Sequence, residues 1–104
     1  MTPEKKVKNA VVKRLKEMTG VYYFYPVTSG YGRSGVPDIV GCYKGKFFGI
    51  ECKAGKNKPT ALQHKELDAI RNSGGIALVG KTSPVLDPTL VRRVTFVLRL
   101  TRSM

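Results

Sequence analysis

The 104-residue sequence is poor in the raw materials of disulfide scaffolds, zinc sites and membrane spans: it has two cysteines, one histidine and no tryptophan. Two cysteines are too few for a disulfide framework, so free thiols are expected. A single histidine with no C-x-x-C pair leaves zinc without a ligand set. No apolar run approaches the ~18 residues of a membrane span, and no apolar signal segment opens the chain, so a cytoplasmic location and no membrane partner are expected. Acids are scarce too. Seven Asp and Glu stand against 19 Lys and Arg, for a formal charge of +12 and a pI near 10.1. Such an excess suits an anionic polymer, bound through phosphate neutralisation. With so few acids, the placement of each carboxylate carries information.

What is present divides into short elements and turns. Thr2 followed by Pro3 reads as an N-cap and first helical residue, and Val7, Val11, Leu15 and Met18 form an apolar stripe up to Thr19-Gly20. Glu4 continues that stripe and is expected to point toward the sheet. Val21 to Val27 is aromatic and β-branched, a first strand. The next run, Gly35-Val36-Pro37-Asp38-Ile39-Val40-Gly41-Cys42-Tyr43, enters a second strand near Asp38. A turn at Lys44-Gly45-Lys46 leads to Phe47-Phe48-Gly49-Ile50-Glu51-Cys52-Lys53, which suggests an antiparallel hairpin. Thr60 caps a helix from Ala61 to Arg71, ended by Asn72-Ser73-Gly74-Gly75. Ile76 to Gly80 is a buried strand, parallel to the Glu51 strand through the helical crossover. The tail after Ser83 offers Asp87-Pro88 and a stripe of Leu90, Val91, Val94, Val97 and Leu98, read as a C-terminal helix although its β-branched content also suits a strand.

The hairpin places Asp38 and Glu51 at the same end of two neighbouring strands. Alternation of faces makes Glu51 and Lys53 project together, while Ile50 and Cys52 point into a core. Two carboxylates held together repel unless a proton or cation lies between them, and hard oxygen donors select Mg²⁺ or Mn²⁺. A lysine two residues beyond can hold an attacking water and offset charge on a phosphoryl oxygen. Gln63, on the same side of its helix as Leu67 and Ile70, is expected to reach the same face. His64, one position around the helix on a more polar side, is rejected as a base. The glycine-rich Gly30-Tyr31-Gly32-Arg33-Ser34-Gly35 matches a dinucleotide fingerprint only formally, because a strand and not a helix follows it. Arg33, beside Asp38, is a candidate phosphate contact, as are Lys56 and Lys58 in the basic loop after Lys53.

Pro37-Asp38 and Glu51-Cys52-Lys53 resemble the signature of the PD-(D/E)xK nuclease superfamily. In combination with Gly-Val-Pro-Asp-Ile-Val, Ile-Glu-Cys-Lys-Ala-Gly and Gln63, the chain is similar to its VRR-NUC domains over about residues 2–83. The resemblance implies a restriction-endonuclease-like αβββαβ core, a mixed sheet flanked by helices, in one domain of residues 1–104 with an extension over 84–104 that suits dimerisation. It further implies a Mg²⁺- or Mn²⁺-dependent endodeoxyribonuclease. Its metal would be held by Asp38, Glu51 and the main-chain carbonyl of Cys52, with Lys53 and Gln63 catalytic and Glu4 serving a second metal or outer shell. Branched or four-way junction DNA cut by a homodimer is the implied substrate and assembly. Two readings compete: a non-catalytic basic nucleic-acid-binding module, and a phosphatase or nucleotide hydrolase, which no P-loop supports.

Overall fold

The computed structural model describes residues 2–27, 32 and 34–82, and within them the elements run α1 (Pro3–Glu17), β1 (Val21–Phe24), β2 (Ile39–Tyr43), β3 (Lys46–Ala54), α2 (Ala61–Asn72) and β4 (Ile76–Thr82). This is the αβββαβ order expected from the sequence, a mixed sheet flanked by two helices. The expected C-terminal helix and Arg33 lie outside the described residues.

The sheet order is β1-β2-β3-β4, antiparallel across the first two pairs and parallel between β3 and β4. The β2–β3 turn is two residues long because Lys44 and Gly45 both take positive φ, 52° and 85°, the backbone a tight hairpin needs. Its register pairs Ile39 with Ile50 and Tyr43 with Lys46. β1 stops at Phe24, short of the Val21–Val27 run suggested by its composition. Pro26, just beyond, has no N–H to extend a ladder.

α1 covers one face of the sheet. Val7, Val11, Val12 and Leu15 of the helix interlock with Ile39, Phe48, Ile50, Cys52 and Ile76 in the main core. Thr2 starts the helix as its Oγ1 accepts the Lys5 N–H at 3.2 Å, and Pro3 occupies the first turn where a missing N–H costs nothing. α2 lies on the opposite face against β3 and β4. There Gly49 allows a close approach: a Cβ would stand 2.7 Å from Ile70 Cδ1 and 2.9 Å from Pro37 Cγ, so a side chain at 49 would force both to shift. That close approach draws α2 and the Pro37-Asp38 entry to β2 over the same stretch of β3.

Candidate metal centre

The centre lies on the α2 side of the sheet, where the β2–β3 pairing gives out. Extending the register beyond Ile39 and Ile50 sets Asp38 opposite Glu51 and Pro37 opposite Cys52. Proline has no N–H to offer the Cys52 carbonyl. The Cys52 N–H instead donates to Asp38 Oδ2 at 2.8 Å. In an antiparallel ladder a residue's N–H and C=O face the same neighbour, so the Cys52 carbonyl is directed toward the Asp38 side as well. Pro37 therefore does two things: it ends the ladder, and it frees a main-chain oxygen beside a carboxylate.

Glu51 is the one buried charged side chain of the described core, 3% exposed. Its Oε1 accepts a hydrogen bond from Gln63 Nε2 at 3.0 Å, while its Oε2 is buried without a donor. Burial first, and then the Asp38 charge, push the Glu51 carboxyl up to about 8, against a smaller opposing pull from Lys53. Two carboxylates side by side repel unless a proton or a cation relieves them. A proton does so below about pH 8. A cation is the other group that can.

Lys53 is mostly buried, its side chain 12% exposed, and its Nζ stands 4.0 Å from Glu4 Oε1. Glu4 is partly exposed and also accepts from Asn57 Nδ2 at 3.4 Å. Its carboxylate contacts Lys53 rather than completing a ring with Asp38 and Glu51. Among the described residues no three His, Cys, Asp or Glu side chains surround one point. A cation here would find two carboxylates and the Cys52 carbonyl on the chain, with water or phosphate oxygen supplying the rest. Mg²⁺ and Mn²⁺ accept such a shell, since Mg²⁺ keeps several waters and binds through one or two carboxylates. With an orphaned buried oxygen at its centre, the donor set fits the group.

The sequence-derived residues thus divide. Asp38, Glu51, Cys52, Lys53 and Gln63 come together, and Glu4 joins through Lys53. Lys56 and Lys58 are exposed on the loop beyond β3. His64 is exposed. Three contributors carried no site signal in sequence. Thr60 was legible only as a helix cap and Asn57 only as a loop residue. Gly35 looked like part of a flexible loop, yet with φ +83° it packs on the first turn of α2, where a Cβ would stand 2.6 Å from the Leu62 carbonyl carbon and 2.9 Å from Gln63 N. Both cysteines are free, Cys42 half-buried and Cys52 buried on the other face. Burial first, and then Asp38 and Glu51, raise the Cys52 thiol to about 12, so it stays protonated and serves as core.

Compared with known proteins, the chain matches no family model and no curated sequence.

Proposed function

We propose that the chain is a divalent-metal-dependent DNA endonuclease of the PD-(D/E)xK type, similar to VRR-NUC domains. The observation that carries this reading is the buried Glu51 Oε2, which has no donor and lies beside a second carboxylate, in a chain of formal charge +12. A structural salt bridge would give that oxygen a donor.

When bound, Mg²⁺ or Mn²⁺ would supply Lewis acidity toward a phosphoryl oxygen. The chain's own residues do the remainder. Asp38, pinned by the Cys52 N–H, and Glu51, held by Gln63, keep their oxygens preorganised, so little reorganisation is needed when substrate arrives. Lys53 projects on the Glu51 face, where its ammonium can hold a water by hydrogen bonding and oppose charge gathering on the phosphate. Glu4 and Asn57 restrain Lys53 and its surroundings from the α1 side. Lys56 and Lys58 are free to meet phosphates farther along the strand. Branched or four-way junction DNA, cut by a homodimer, is the substrate and assembly that follow from the family likeness.

Purified protein incubated with linear, flapped and four-way DNA, with and without Mn²⁺, tests the reading. Cleavage should require the metal and fall by about 10²-fold or more in Asp38→Ala and Lys53→Ala, a loss typical of removing one preorganised stabilising group. Binding measured in EDTA should survive in both variants. Binding without cleavage of any form would favour the non-catalytic module.

A further inference from the structure

We infer that Thr60 is a positioning residue for the candidate metal centre: acting through the Gln63 amide, the helix cap selects which Glu51 oxygen is left for the cation. The inference rests on the metal-dependent reading above. Gln63 is bound at both ends. Its Oε1 accepts the Thr60 N–H at 2.8 Å, and its own N–H donates to Thr60 Oγ1 at 3.2 Å, which closes a capping box at the start of α2. With the amide oxygen committed to the cap, only Nε2 can face the sheet, and it donates to Glu51 Oε1 at 3.0 Å.

A rotated amide would place an oxygen against a carboxylate and leave the Thr60 N–H without its acceptor. The cap therefore fixes the amide in the one orientation that gives Glu51 a donor. Gln63 then occupies one acceptor site of Glu51 Oε1, and Oε2, buried and without a donor, is the oxygen left wholly open to a cation. Thr60 is exposed, so it acts at one remove from Glu51. Outer-shell groups that orient a ligand in this way commonly change metal affinity by about 10–100-fold when removed.

Two substitutions dissect the cap. Thr60→Val removes the hydroxyl and keeps the N–H. Thr60→Pro removes both at a position whose φ of −71° already suits proline. Thr60→Ser restores the hydroxyl. Mn²⁺ alone is titrated into the full chain, with free Mn²⁺ read by electron paramagnetic resonance and thermal unfolding followed in parallel. Relative to the unsubstituted protein, Thr60→Pro should weaken Mn²⁺ binding about 10-fold, at the low end of outer-shell effects, Thr60→Val by a smaller factor of about 3 because its N–H still holds the Gln63 amide, and Thr60→Ser should stay within about 2-fold.

In a Gln63→Ala background the same Thr60 substitutions should leave Mn²⁺ affinity unchanged, because the relay is already cut. Thr60→Val should still lower the melting temperature there, because the main-chain N–H of residue 63 still uses the hydroxyl. Unchanged Mn²⁺ affinity in Thr60→Val and Thr60→Pro, or an equal loss with and without Gln63, overturns the positioning role and leaves the metal reading intact. Absence of Mn²⁺ uptake by the unsubstituted protein removes both.

Discussion

Glu51 concentrates the chemistry at the scale of a single residue, and its titration gives a test that needs no substrate. Its carboxyl sits at about 8 in the folded chain against an ordinary 4.5, raised mainly by burial and then by Asp38. Between those values the folded state holds a proton that the unfolded state has released. Stability from that proton is therefore complete below about 4.5 and is lost as pH rises through about 8. Urea unfolding of metal-free protein should show this decline. Glu51→Gln, which cannot ionise, should flatten the profile and be the more stable form at pH 8. Because a cation competes with the proton for the same oxygens, stabilisation by Mn²⁺ should grow from pH 5 to pH 8. An unchanged slope in Glu51→Gln would place the titration elsewhere.

At the scale of elements, the site depends on how closely the entry to β2 approaches the first turn of α2. Gly35 sets that distance, with φ +83° and no room for a Cβ against main-chain atoms of Leu62 and Gln63. Gly35→Ala should cost roughly 1–3 kcal/mol from the left-handed backbone alone. It should also push α2 away, so that cleavage falls further than global stability explains; urea unfolding and initial cleavage rates compared in one preparation would show the difference. Normal cleavage in a destabilised Gly35→Ala protein would argue that α2 does not position the centre.

Much of this arrangement was legible in the sequence, for reasons that are themselves local. Two-residue alternation put Glu51 and Lys53 on one face and Cys52 in the core. The Lys44-Gly45 turn fixed the hairpin, and a helical crossover made β4 parallel to β3. Helical spacing put Gln63 on the sheet side. What was not legible depends on segments far apart in the chain meeting. Nothing in the spacing of Glu4 says that its carboxylate, read as directed toward the sheet, would stay partly exposed and meet Lys53 and Asn57. Likewise a glycine in a Gly-rich loop does not declare the helix packed against it, and Thr60 looks the same in sequence whether or not its partner touches a carboxylate.

At the scale of the molecule, α2 covers only part of its face of the sheet. Tyr22 and Phe24 of β1 are exposed there with ring centroids 6.3 Å apart. Phe24 and Phe47 also line an open, largely apolar groove of about 460 Å³ with Val36, Pro37, Val40 and Ile70. The formal charge of +12 acts over the whole surface and predicts DNA binding that weakens steeply with salt. On a logarithmic plot each phosphate contact contributes about 0.9 to the slope, so Lys56→Ala with Lys58→Ala should reduce it by about 2 if both lysines meet phosphates. Cleavage at saturating DNA should be spared, since both side chains are exposed and neither is among the groups proposed to hold the metal or the water. An unaltered slope would move the DNA path to another face.

Anomalous diffraction from crystals soaked in Mn²⁺ addresses the metal centre itself. One strong peak is expected within coordinating distance of Glu51 Oε2, a carboxylate oxygen of Asp38 and the Cys52 carbonyl. A well-ordered soaked crystal with no peak at that position, or with a hydrogen-bond donor found occupying Glu51 Oε2, would contradict that expectation.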